Sequence, residues 1–296
     1  MMSKIDTTQR KYDTLVIHID WWLWRCIAMS WAITEIAKQR PVKVITSWPL
    51  VFRWNPYIVS VHWLEDRDLY RNVVMWNDYI ELEPYTDPEF FNDWKSRLYI
   101  AAKILSRYWE IDWIPQPCLF LAEHEKLDNL LDWNKPVLYQ PFWSSMQLNW
   151  ADKSYRSIPV ESAQYIANKL IQQWFTPYEV IKPWEQPVLN WCKILDTPEM
   201  RFVVALCARY PVLWCDSSLH HAAKAFWKKA TVIWAWTDAE RYWYDTNNNL
   251  REFPMVMHTP LRLRLNSFND DVSNQYTNKF THWFLDKAIK TFISSL

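Results

Sequence analysis

The 296-residue sequence contains no glycine. A chain of this length ordinarily carries roughly 21. Tight turns and left-handed backbone positions need that residue, so its absence excludes an ordinary glycine-punctuated α/β or β sequence. Net charge is absent too: 33 Lys and Arg balance 33 Asp and Glu. A nucleic-acid-binding domain is normally basic, so no nucleic-acid partner is expected. No run of about 18 apolar residues occurs, and no transmembrane segment is expected. Met1 to Asp13 is polar and lacks the apolar core of a signal peptide. Five scattered cysteines (Cys26, Cys118, Cys192, Cys207 and Cys215) form no CxxC pair and no zinc spacing. Free thiols and a cytoplasmic location follow as expectations.

What is present in excess is tryptophan, 23 in all. Chosen for its own properties, tryptophan sits on apolar faces and at interfaces. Here it follows Asp or Asn at Asp20-Trp21, Asp93-Trp94, Asp112-Trp113, Asp132-Trp133, Asn149-Trp150 and Asn190-Trp191, and precedes Asn at Trp54, Trp76 and Trp133. Those are glycine dipeptides in ordinary turns. Trp109, Trp174 and Trp227 each follow an apolar-periodic run, at the position where a left-handed glycine ends a helix. The pattern reads as a sequence in which every glycine has been replaced by tryptophan. A tryptophan-rich carbohydrate binder is the competing reading, and it leaves the missing glycines unexplained.

Strand-like and helix-like segments alternate along the chain. Strands are expected at 11–20, 42–46 and 57–62, with helices at 25–39, 88–108 (Asp87 as N-cap) and 123–131, and a short apolar run at Pro117 to Leu121. A linker at 132–136 precedes a second series. Its strands are 137–140, 178–181, 192–195, 211–215 and 230–233; its helices are 160–173, 198–209 and 218–226. The tail from 271 to 295 has helical periodicity, with Tyr276, Phe280, Phe284 and Ala288 four apart. The fold class is therefore α/β, with two Rossmann-like halves and a C-terminal helix. Ligands in such sheets bind beyond the carboxyl ends of the strands.

Read with glycine for tryptophan, Asp20 to Trp31 becomes a glycine-rich turn between a first strand and a helix, a place where backbone N–H groups meet an anion. A dinucleotide-dependent oxidoreductase must be weighed on this motif. The second strand, however, ends Ile45-Thr46-Ser47 without the acid that would hold a ribose.

Cys215 to Arg241, read the same way, becomes CDSSLHHAAKAFGKKATVIGAGTDAER. It resembles the DSGxxHxAAAxGxP…G…TDPxR signature of the heptosyltransferase-like glycosyltransferases, the family of lipopolysaccharide ADP-heptose transferases. Asp216, Ser217, His221, Ala222 and Ala223 match it residue by residue, with Ser218 in place of the usual glycine. Trp234, Thr237, Asp238 and Arg241 fit the loop that follows. Gln140 to Ser145 resembles the family's NPG(A/S)S loop, and Arg156 to Pro159 its K-x-W-P segment. Thr46 to Phe52 with Asn55-Pro56-Tyr57 resembles a segment of its first half. The resemblance spans about residues 13 to 245.

The resemblance implies a GT-B-like pair of Rossmann domains facing a central cleft. It implies sugar transfer from a nucleotide-diphosphate donor, used as substrate with no cofactor and no metal, to a glycan acceptor whose identity the sequence does not give. Residues 1–132 would form the acceptor-side domain, 133–270 the donor-binding domain and 271–296 the terminal helix. Ser144, Ser145, Arg156, Asp216, Ser217, Ser218, His221, Thr237 and Asp238 would bind the donor. Asp216 and Ser217 read equally as simple helix N-capping residues, and His221 as a satisfied core histidine. Family members carry an Asp as general base in the first loop; here Arg25 stands there, and arginine cannot act as a base at neutral pH. Asp20 is the substitute base, or merely a turn residue. A non-catalytic nucleotide-sugar-binding protein on the same fold is thus the alternative function. The clusters at 65–68 and 270–271 read as solvated charge runs.

Tryptophan at positive φ costs about 1–3 kcal/mol per site, against about 5–15 kcal/mol for a whole domain. Indoles at Trp22, Trp24, Trp143, Trp234 and Trp236 would also stand in ligand space. The expectation is a chain that neither folds stably nor binds the donor sugar.

Overall fold

The computed structural model describes residues 12–19, 23–82, 103, 116–126, 131, 134–142, 157–181, 187–196, 199–235, 244–252 and 280–296. The chain divides into two compact units, 1–122 and 123–296.

In the first unit the elements are β1 (Leu15–His18), α1 (Leu23–Ala37), β2 (Val42–Thr46), α2 (Pro49–Phe52), β3 (Ile58–Trp63), a π-helical turn (Tyr70–Val74) and β4 (Asp78–Glu81). The strands form a parallel sheet in the order β3-β2-β1-β4. Leu15, Val16 and Ile17 are fully enclosed, as a central strand covered on both faces requires. Helix α1 is buried at every position except Trp31 and Glu35. Arg40, just past it, donates to the carbonyls of Tyr12 and Asp13 and to the Asp78 carboxylate at 3.0 Å. It thereby ties the lead-in to β1 to the start of β4.

The second unit contains a short 3-10 turn (Glu123–Glu125), β5 (Pro136–Gln140), α3 (Val160–Gln172), β6 (Thr176–Ile181), β7 (Lys193–Asp196), α4 (Met200–Leu206), β8 (Val212–Cys215), α5 (Ser218–Ala225), β9 (Thr231–Trp234), β10 (Asn248–Arg251) and α6 (His282–Ile293). Six parallel strands lie in the order β10-β9-β8-β5-β6-β7. Counted within the unit, that order is 6-5-4-1-2-3, the doubly wound nucleotide-binding arrangement. Strands β5, β8 and β9 are almost wholly buried. On β6, buried Glu179 accepts backbone hydrogen bonds from Val188 and Leu189, which answers its charge with two donors. Helix α6 buries Phe284, Ala288 and Phe292, the fourfold spacing seen in the sequence, and packs on α3, β9 and β10.

The α/β class holds, with differences in detail. The first strand is confined to 15–18. The run Pro117 to Leu121 joins no sheet: it lies as a strap whose Cys118 N–H donates to Ser30 on α1. The helix expected over 123–131 is described only as the 3-10 turn Glu123–Glu125. The expected helix 88–108 and Asp87 lie outside the described residues, apart from Lys103. Residues 65–68 are exposed, as a solvated charge run should be. No described helix is long and apolar enough to cross a membrane, and all five cysteines are free.

Six described non-glycine residues have positive φ, and four of them are tryptophans: Trp54 (67°), Trp174 (64°), Trp191 (66°) and Trp227 (60°). Trp174 and Trp227 directly follow the last turns of α3 and α5, as expected for left-handed helix-ending positions. Trp109 is outside the described residues.

Candidate functional site

The strand order of the second unit reverses between β5 and β8, which pair at Leu138–Val212 and Gln140–Trp214. From β5 the chain proceeds outward to β6 and β7, and from β8 to β9 and β10. In a doubly wound sheet of this order the helices after the two central strands leave toward opposite faces, and ligands bind in the crevice beyond the carboxyl ends of those strands.

Asp216 and Ser217 occupy that point. They follow β8 directly, are buried, and lead into α5 at Ser218. Ser217 has extended backbone and stands at the N-cap by position, yet its side chain makes no capping bond. Its hydroxyl accepts from the Trp214 indole N–H instead. Asp216 turns toward His220, one helical turn on, with its Oδ1 3.6 Å from Nε2. The N-capping alternative therefore does not describe the Ser217 side chain. Helix α5 presents its first backbone N–H groups without a side-chain cap from Ser217, at the crevice, where a helix terminus favours negative charge.

His221 is buried, and its Nδ1 lies 2.6 Å from the Tyr244 hydroxyl. The ring of His220 lies tilted against that of His221, centroids 3.9 Å apart, and meets Trp234 and Tyr244 edge-on at 5.6 and 5.9 Å. Burial raises Tyr244 well above the ordinary phenol range, so its hydroxyl keeps its proton. Trp234, at the end of β9, donates its indole N–H to Asn249. The sequence reading misses His220 and Tyr244. The Asp216–His220 spacing of four on one helix is the available signal for the first; the second depends on tertiary contact.

At the end of β5, the Gln140 amide donates to the Phe142 carbonyl, and Ile158 N–H donates to the Pro141 carbonyl. Ser144, Ser145 and Arg156 fall between these anchors, outside the described residues; so do Asp20, Thr237, Asp238, Trp22, Trp143 and Trp236. The structure thus brings Asp216, Ser217, Ser218 and His221 onto one turn. Arg25 belongs to the first unit. It is buried in the first turn of α1, and Trp24 beside it is also buried.

No protein-family model matches the sequence, and neither does any curated protein. Solved structures do match the fold. The E. coli ADP-heptose lipopolysaccharide heptosyltransferase II aligns with a TM-score of 0.64 at 13% identity, over 89% of this chain and all of that one. The glycosyl transferase family 9 protein of Veillonella parvula aligns with a TM-score of 0.67 at 10% identity, over 96% and 98% of the two chains. The fold is that of the heptosyltransferase-like glycosyltransferases. A third protein of this fold is the dodecameric iron-containing heptosyltransferase TibC, a glycosyltransferase of enterotoxigenic E. coli. Solved in complex with ADP-D-β-D-heptose, it aligns with a TM-score of 0.66 at 12% identity, over 97% and 79% of the two chains. Within the heptosyltransferase-like fold, the Asp216 turn and the His220–His221 pair mark the switch point of the second sheet.

Proposed function

We propose that the chain is a cytoplasmic glycosyltransferase that moves a sugar from a nucleotide-diphosphate donor to a glycan or lipopolysaccharide-type acceptor. The carrying observation is the coincidence of the β5/β8 switch point with the Asp216-Ser217-Ser218 turn at the amino end of α5. A pyrophosphate needs backbone donors and a positive helix end, and this turn supplies both. In the tautomer where the Tyr244 hydroxyl donates to Nδ1, His221 carries its ring proton on Nε2, the form that a donor to a phosphate oxygen requires. Ser144, Ser145, Arg156, Thr237 and Asp238 complete the donor set by resemblance, with Arg156 answering the charge of the leaving diphosphate. Asp20 is the proposed base. The chain as it stands, with tryptophan for glycine in the loops around the donor, is expected to be inactive.

One observation favours a second reading, a nucleotide-sugar-binding protein without catalysis. The residue standing where the family carries its base is Arg25, and it is buried and unable to accept a proton.

Thermal shift with nucleotide sugars, nucleoside diphosphates and NAD, on the chain and on its W143G/W236G variant, tests both readings. The variant is expected to prefer the nucleotide sugar and to hydrolyse it in the presence of chelator. Asp20→Asn is expected to abolish hydrolysis and spare binding. Binding with no turnover selects the second reading, and preference for NAD overturns both.

A further inference from the structure

Helix α6 buries one face and leaves another to a groove of about 630 Å³ that runs along it beside the starts of β9 and β10. Trp283, Lys287, Lys290, Thr291 and Ser294 form the helical wall, at the spacing of a single stripe. With a helical rise of about 1.5 Å per residue, that stripe is roughly 16 Å long. Lys229, just before β9, and Asn248, the first residue of β10, line the groove from the sheet. The volume is that of a small-molecule site.

Three ammonium groups line the groove against one carboxylate, Asp286, which leaves an excess of two positive charges. Asp286 already accepts the Tyr165 hydroxyl at 2.9 Å. Among the described residues, Lys229, Lys287 and Lys290 have no salt-bridge partner. Helix polarity accounts for only one of the three. A cation gains from the dipole within the last turn, where Lys290 lies; Lys287 is further back and Lys229 is off the helix. Lys287 and Lys290, three apart on one face, repel each other, and an anion between them relieves that cost. Toward the amino end of the stripe, Trp283 is 73% exposed, with the Lys287 ammonium 5.6 Å from its ring centroid. An indole left in water beside a cation offers a flat stacking surface next to a charge-binding one.

We propose that this groove binds a phosphate chain, its charges resting on Lys287, Lys290 and Lys229, with the base stacked on Trp283 where a nucleoside carries the chain. Ammonium groups bind phosphate as point charges. A chain of several charges reaches all three lysines, which a single carboxylate does not. Two neutral donors lie along the same length. One is the Thr291 hydroxyl; the other is the second amide hydrogen of Asn248, whose first goes to Thr231. The groove is separate from the crevice: none of its lining residues belongs to the Asp216 turn, and β9 stands between β10 and β8. The inference does not rest on the donor reading. A ligand bridging Lys290 and Lys229 ties α6 to the starts of β9 and β10.

Isothermal titration of the full chain with inorganic tripolyphosphate and with adenosine triphosphate tests the proposal. Both probes are expected to bind, and to bind less tightly as salt rises. K287E/K290E is expected to lose about tenfold or more for both. K287Q/K290Q, a milder change at exposed sites, is expected to lose severalfold while keeping the circular dichroism of the chain. K135E/K193E makes the same charge reversal at exposed sites outside the groove, and is expected to bind within about twofold of the chain. An equal loss there would reduce the attraction to general charge and overturn the proposal. W283A separates the two sources of the phosphate chain. A severalfold loss for adenosine triphosphate alone assigns the groove to a nucleoside ligand; unchanged binding of both probes assigns it to the inorganic chain. No binding of either probe, or lysine variants that bind like the chain, would also overturn the proposal.

Discussion

At the amino-terminal edge of the six-stranded sheet, Trp174, Trp191 and Trp227 hold φ near +60° and leave their indoles in water. At the carboxyl-terminal edge, Trp214 and Trp234 have no positive φ, and their indoles are enclosed and hydrogen-bonded. One residue type thus carries two different physical burdens. On the first edge the cost lies in the backbone, because a Cβ crowds the carbonyl in the left-handed region. On the second it lies in volume, and there the surroundings have closed around the ring. Overpacking and backbone strain, which composition alone lumps together, belong to opposite ends of the same strands.

The same substitution should therefore have opposite signs at the two edges. Trp214→Gly removes a fully buried indole and its bond to Ser217, and is expected to destabilise the chain by about 3–5 kcal/mol in urea unfolding. A gain in stability there would show the ring to be overpacked and would erase the distinction. Trp174→Gly, Trp191→Gly and Trp227→Gly are each expected to stabilise by about 1 kcal/mol. Their effects should add, because the sites share no partners. The alanine variants are the control, since alanine keeps the left-handed penalty and should gain little. A smaller effect sharpens the picture of the amino edge. Burial, reinforced by Glu179, pushes the Cys192 thiol from 9.0 up to about 12. Between those values the unfolded chain has lost a proton that the folded chain retains, so stability falls as pH rises through that window. Cys192→Ser is expected to flatten that part of the stability–pH curve, and an unchanged slope would assign the fall to other groups.

Much of this architecture is legible in the sequence where a strand or helix is central. β2 is expected and found at 42–46, and α3 differs from its expected span by one residue. Central strands must be apolar on both faces, which leaves a plain signal. β4 (DYIE) and β10 (NNLR) are not read at all. Both are edge strands, and edges tolerate or require polar residues. The Asp216–His221 turn is legible because its chemistry is contiguous. Its supporting contacts are not: the bond from His221 to Tyr244 joins residues brought together only by the loop after β9. The Trp214–Ser217 bond is equally invisible, since a tryptophan read as a missing glycine has no indole to place.

The β5–β8 pairing has a further consequence, for the order of assembly. Leu138 and Val212 meet across more chain than any helix-linked pair in that sheet must close, whereas β5-α3-β6 and β8-α5-β9 are each built from neighbours in sequence. Distant pairings wait on the loop-closure entropy that local ones avoid. The β5–β8 ladder is therefore a seam between two locally formed pieces, and the crevice at its end exists only once that seam has closed. A ligand seated there binds across the last join to form and holds together the two halves of the sheet.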